Sequence, residues 1–277
     1  MNSDIRKSAI AGSWYPGDPM VLKADIERFF SNVTDQNIHG NIIGFVVPHA
    51  GYMYSGQVAA YAYKQIRGAK FDAVIVIGPS HRVYFNGVSV YDQGGYETPL
   101  GVVPVDVPLA KSMVEYHEIF SCNRAAHRQE HSVEIQLPFL QVALGEFRFV
   151  PLVMGDQSEQ TCEILAECIF ESVGNRKVLI VGSSDLSHFH SYEEAVLLDH
   201  LALSHIVNMD GRALLHDLGT NTCEACGGGP IVSMMTASKK LGADNVSLLK
   251  YANSGDVTGD KRSVVGYASA VFAGPMS

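Results

Sequence analysis

The sequence predicts an α/β protein, a largely parallel or mixed sheet covered by helices on both faces. Strand-like and helix-like patterns alternate along the chain, the signature of parallel strands joined by crossover helices. No linker rich in Pro, Gly, Ser or charge interrupts them, so residues 1–277 read as one domain. Three short apolar runs, bounded by turn residues, each end at a side chain suited to holding a metal or moving a proton.

The first run, 41–47, is a strand leading into Pro48-His49-Ala50-Gly51-Tyr52. Residues 55–67 carry apolar positions at helical spacing, with Ser55 expected as N-cap. The second run, 73–77, leads into Gly78-Pro79-Ser80-His81. Residues 87–91 and 101–104 read as short strands around a loop containing Gly and Pro, and 108–117 as a helix. A helix over 131–144, a strand over 147–153 and a helix over 159–173 follow. The third run, 177–181, leads into Gly182-Ser183-Ser184-Asp185-Leu186-Ser187-His188. Helices are expected over 192–208, 211–218 and 230–241, the last with Pro230 in its first turn. Strands over 246–251 and 264–272 close the chain, which has no internal repeat.

Composition narrows the function. Hydrophobic residues make up 47% and charged residues 18%, the range of a folded globular enzyme. With 29 acidic and 20 basic residues the net charge is −9, and Lys and Arg form no cluster. Nucleic acid and anionic membrane both need a basic patch and are excluded as main partners. No apolar run approaches the roughly 18 residues of a membrane span. The first residues are too short and broken for a secretory signal. Five cysteines, an odd number, do not form a disulfide framework, so the expected compartment is the cytoplasm.

In an open α/β sheet, ligands bind beyond the carboxyl ends of the strands. His49 and His81 both follow a strand there, and neutral imidazole is the commonest metal ligand. Asp185 or a cysteine is the expected third ligand. Cys226 stands in Cys223-Glu-Ala-Cys226-Gly-Gly-Gly-Pro230, a Gly-rich turn into a helix, where the helix dipole favours a thiolate. His127-Arg-Gln-Glu130-His131 matches the H-x-x-E-H pattern of inverted zinc peptidases. That pattern is short, and the chain holds 11 histidines, so a chance match competes with it. Glu130 and His131 also suit a pocket pair at the start of the following helix.

Taken in order, Ala11-Gly-Ser-Trp-Tyr-Pro16, Pro48-His-Ala-Gly-Tyr52 with Ser55-Gly56, and Gly78-Pro-Ser-His81 form the first half of a signature. Glu130-His-Ser132 with Glu134, Ser183-Ser-Asp-Leu-Ser-His188, and Cys226-Gly-x-x-Pro230 complete it. Nearly the whole chain resembles the Memo family, that of the eukaryotic mediator of cell motility and its prokaryotic AmmeMemoRadiSam-type relatives. The resemblance implies a three-layer α/β/α sandwich similar to the LigB-like class III extradiol dioxygenases. It implies His49, His81 and Cys226 as metal ligands, with Asp185 and His188 beside them, and a divalent metal: iron first, copper or zinc as substitutes. It also implies a metal-dependent oxidoreductase, working with a radical-SAM protein and an AMMECR-type protein. Asp185 would ligate the metal or orient water, and His188 would act as general base. Tyr52 and Tyr54, after His49, would line the pocket for a small molecule or peptide. The alternatives are a non-catalytic partner-binding module with a vestigial pocket and, third, a zinc-dependent hydrolase.

Overall fold

Among the described residues of the computed structural model (4–34, 36 and 38–275), a nine-stranded mixed sheet forms the middle layer. The ends of the expected 1–277 domain, residues 1–3 and 276–277, lie outside them.

The chain opens with strand β1 (Ile5–Arg6) and helix α1 (Pro19–Ser31), whose N-cap Asp18 accepts from the Met20 and Val21 N–H groups. Strand β2 (Asn41–Val47), helix α2 (Tyr52–Lys64) and strand β3 (Ala73–Pro79) follow. A peripheral stretch holds β4 (Val88–Val90), β5 (Gly95–Thr98), β6 (Gly101–Pro104), α3 (Val107–Tyr116), β7 (Phe120–Ser121) and α4 (Arg124–Arg128). A 3-10 turn at Glu134–Gln136 runs into α5 (Leu137–Leu144), then β8 (Phe149–Met154), α6 (Glu159–Val173) and β9 (Val178–Ser183). The last third comprises β10 (His188–His190), α7 (Tyr192–Val207), α8 (Gly211–Gly219) and α9 (Gly228–Lys240). It ends with β11 (Asn245–Asn253), α10 (Ser254–Thr258) and β12 (Val264–Gly274).

The main sheet runs β10-β12-β2-β9-β3-β8-β4-β7, with β11 also paired to β12. Its centre, β2-β9-β3-β8, is parallel. Strands β3, β8 and β9 are buried along their whole length, as sequences apolar on both faces require. Antiparallel β12 and β4 flank this core. Successive residues of β2 show the two outer layers. A Cβ at Gly44 would meet Met234 and Ser238 of α9, whereas the next residue, Phe45, packs edge-on to Tyr63 of α2 at 5.8 Å. Helices α2 and α9 therefore cover opposite faces. A separate three-stranded sheet, β1-β5-β6, lies beside the main one.

Two local expectations are corrected, and one helix was not expected. Helix α2 starts at Tyr52, so Ser55 is inside it; its hydroxyl donates to the Ala50 carbonyl at 2.9 Å, and Gly51 caps instead. The helix expected over 131–144 begins with the 3-10 turn, because the N–H groups of His131 and Ser132 go to the Glu130 carboxylate. Periodicity assigned no element to residues 19–31, where α1 lies.

Gly78, at the end of β3, is a close approach. An added Cβ would sit 2.2 Å from Ser132 Oγ and 2.9 Å from Ser132 Cβ. Gly78→Ala is expected to lower stability by about 1–3 kcal/mol, read as a lower urea midpoint.

Candidate metal centre

Strand β9 inserts between β2 and β3, which brings three strand ends together. Val47 pairs with Ser183, and Ile77 with Gly182, so the segments carrying His49, Asp185 and His81 leave the sheet side by side. The chain reaches β9 only after more than half its length, so this adjacency is a property of strand order.

Ligand atoms of His49, His81 and Cys226 lie within 4.8 Å of one another, a group that could hold a metal ion. His49 is buried, and Cys226 Sγ lies 3.1 Å from its Nε2. The tautomer of His49 follows from its neighbours. Ser183 Oγ donates its proton to the Ser132 carbonyl at 2.7 Å and accepts from Gln136 Nε2 at 2.8 Å. Its contact with His49 Nδ1 at 3.0 Å must therefore be accepted as well, which protonates Nδ1 and leaves Nε2 as the free base. Gln136 is itself fixed by Tyr63, whose hydroxyl donates to Gln136 Oε1 at 2.8 Å.

His81 is oriented by the same logic. Its Nδ1 donates to Glu130 Oε1 at 2.9 Å, and Glu130 also accepts the N–H groups of His81, His131 and Ser132. Burial pushes the Glu130 carboxyl up, but these hydrogen bonds and the His81 charge override it and hold it well below the usual carboxylate range. Glu130 is thus an ionised anchor for His81.

A second donor group, His81, Glu130 and His131, also lies within 4.8 Å. Its carboxylate is already occupied by those four N–H donors. His131 stacks between the His81 and Trp14 rings, at centroid distances of 4.5 and 4.3 Å. Burial, reinforced by the His81 charge on His49 and by the His49 charge on His131, drives both histidines down to about 3. Both are neutral at physiological pH, as ligation requires.

Cys226 precedes α9 by two residues. Gly227 allows this approach, since a Cβ there would lie 2.4 Å from the Ser183 carbonyl. The turn is tied down by Gln157, which donates to the Cys226 carbonyl at 3.1 Å and accepts the Gly229 N–H at 2.7 Å. The expected thiolate is not favoured by the helix terminus alone. Burial, with the Asp185 charge, pushes the thiol up to about 12, and desolvation outweighs the dipole. The neighbouring Cys223 is buried, as expected of a packing residue.

Asp185 is buried at the crevice floor. Its Oδ1 accepts from the N–H groups of His49 at 2.7 Å and Ala50 at 3.3 Å. Burial raises its carboxyl to about 6 despite those bonds. His188 stands on the wall, its N–H donating to Glu224 Oε2 at 3.2 Å.

His49, His81, His131, Asp185 and His188 line a pocket of about 550 Å³, walled by Trp14, Met53, Tyr54, Val265 and Tyr267, with Cys226 and Glu130 behind its surface. Tyr54 lines it; Tyr52 does not. The Tyr52 ring is buried against Phe139 at 4.8 Å, and its hydroxyl donates to the Ile135 carbonyl at 2.8 Å. Helical geometry explains the difference, because residues 52 and 54 of α2 point about 160° apart. A larger cavity, about 1100 Å³, opens near Asp72 and Arg148, at the amino ends of β3 and β8, and its lining has no His or Cys.

The H-x-x-E-H reading does not survive. His127 is fully buried, with Tyr96 OH 2.7 Å from Nδ1 and Ser89 Oγ 2.9 Å from Nε2, and α4 ends before His131. The positioning groups Ser183, Gln136 and Gln157 and the wall residues Trp14 and Tyr267 had no assigned role from sequence. Only their place in the quoted motifs marked Ser183 and Trp14.

Among the described residues, no helix is long and apolar enough to cross a membrane. The chain is 40% identical over 273 residues to a MEMO1 family protein of Methanosarcina mazei, covering 97% of this chain and 99% of that one. It is 38% identical over 280 residues to one from Methanobrevibacter smithii, with the same coverage. In fold it is similar to the crystal structure of an uncharacterized protein from Escherichia coli K12, with a TM-score of 0.55 and 13% identity, covering 83% of this chain and 100% of the other. Residues 6–271 match the family model described as Memo-like protein, and the chain belongs to the Memo family.

Proposed function

We propose that the chain is a metal-dependent oxidoreductase acting on a small molecule, with His49, His81 and Cys226 as the ligands. One observation carries the reading: both imidazoles have Nδ1 committed to a hydrogen-bond partner, leaving Nε2 as the donor beside one thiol. Two imidazoles and a thiolate suit iron, copper or zinc, and iron is favoured by the resemblance to extradiol dioxygenases. A bound metal would supply Lewis acidity and, if redox-active, electron transfer. The remaining roles belong to the protein. Asp185 accepts a hydrogen bond from the substrate, His188 takes a proton at the pocket wall, and Trp14 and Tyr54 exclude water. A cytoplasmic setting and cooperation with a radical-SAM protein and an AMMECR-type protein belong to the same reading.

The test is metal analysis with spectroscopy of anaerobically purified protein. About one metal per chain is expected, and His49→Ala or His81→Ala should lose it while unfolding stays cooperative. Metal-free protein would instead favour a partner-binding module for a peptide. That reading has support of its own, because the Cys226 thiol can donate to His49 Nε2 at 3.1 Å and so satisfy the pair without a metal.

A further inference from the structure

The pocket lining contains no Lys and no Arg, and its one carboxyl group is Asp185. Arg82, next to His81, is exposed and outside the lining. A divalent cation, the Cys226 thiolate and the Asp185 carboxylate would sum to zero charge. An anionic group carried by a ligand away from the metal would then be desolvated with no Lys or Arg in the lining to pair with it, which costs several kcal/mol. The walls favour the opposite sign. Trp14, Tyr54 and Tyr267 offer aromatic surface, and Met53 and Val265 add apolar contact. Tyr267 also stands near both Asp185 and Tyr54. Both backbone N–H groups that bind Asp185 use Oδ1, so Oδ2 has no hydrogen-bond partner among the described residues.

We propose that this pocket takes a neutral or cationic small molecule with a flat apolar body, an arylalkyl alcohol or amine, whose donor group meets Asp185 Oδ2. It rejects carboxylate- and phosphate-bearing analogues. The proposal rests on the reading of this pocket as the substrate site. A volume near 550 Å³ accommodates molecules of this size.

Trp14 is the single tryptophan of the chain and forms the pocket wall, so its emission reports on this site alone. The probes are tyramine, tyrosol and 4-hydroxyphenylacetate, which share a phenol ring and differ in an ammonium, hydroxyl or carboxylate tail. Each is titrated into metal-free and zinc-loaded protein, excited at the red edge of indole absorption. Tyramine should bind at least about tenfold more tightly than the carboxylate, with tyrosol between. Asp185→Asn should shrink the gap between tyramine and tyrosol. Equal or tighter binding of the carboxylate overturns the proposal, as does the absence of any Trp14 response up to about a millimolar. Failure of the metal reading registers separately, as metal-free protein that keeps the ligand order. Failure of this inference registers as a lost or reversed order in protein that holds its metal.

Discussion

Replacing Arg6 with alanine is expected to destabilise the protein by about 3–5 kcal/mol, because it leaves a buried carboxylate without its cation. Arg6 is 5% exposed and Glu134 is fully buried. The guanidinium pairs with Glu134 and also donates to the carbonyls of His127 at 2.8 Å and Glu130 at 2.7 Å, with Tyr96 beneath it at 4.7 Å. Glu134 gathers the N-terminal segment in turn, accepting from Ser8 Oγ, the Ala9 and Ile10 N–H groups and Tyr15 OH. Burial raises the Glu134 carboxyl, but the Arg6 charge and these bonds bring it below its ordinary value. Arg6, in a two-residue strand, thus holds the loop whose Glu130 orients His81. Arg6→Ala should also weaken metal binding by about 10–100-fold, as loss of a ligand's supporting hydrogen bonds does. Arg6→Lys keeps the charge but not the fork, so it should fall between. A urea-unfolding free energy for Arg6→Ala within about 1 kcal/mol of the parent protein would rule out a structural role for the pair.

His49 and His81 were legible as candidate ligands because they sit at the ends of apolar runs, a local pattern, whereas Cys226 was marked by its Gly-rich turn and by the family resemblance. What surrounds them is not local. Ser183 fixes the tautomer of His49 across 134 residues, and Gln136 reaches Ser183 across 47. Neither pairing leaves a periodicity. Strand β1 is too short for alternation to show, and its value lies in Arg6, which pairs with Glu134 at a separation of 128 residues. The spacing after His49 pointed to both tyrosines, yet α2 begins at Tyr52 and turns that ring into the core, leaving Tyr54 at the pocket. The Cys226 thiol was misjudged for an energetic reason. Helix polarity can be read from Gly-Gly-Gly-Pro, but the desolvation that overrides it depends on β2 and β9 closing over the turn.

That desolvation sets the pH dependence of the site. Metal uptake near neutral pH is expected to release about one proton, and it comes from Cys226. Burial holds the free thiol at about 12, so the metal-free protein keeps this proton throughout the neutral range, whereas a metal binds the thiolate. His49, lowered to about 3, has no proton to lose. Affinity should therefore rise about tenfold per pH unit between roughly 6 and 8. Below about 6 the slope should steepen, because Asp185 also takes up a proton there and stops offsetting the metal's charge. Calorimetry in buffers of different ionisation enthalpy counts the protons directly. Cys226→Asp supplies a ligand that ionises far more readily, so the pH slope should flatten while preference shifts toward iron. The same physics makes metal-free Cys226 slow to alkylate at neutral pH, behind the exposed Cys122. Proton release that persists undiminished in Cys226→Asp would locate the titrating group elsewhere and remove the thiolate from the site.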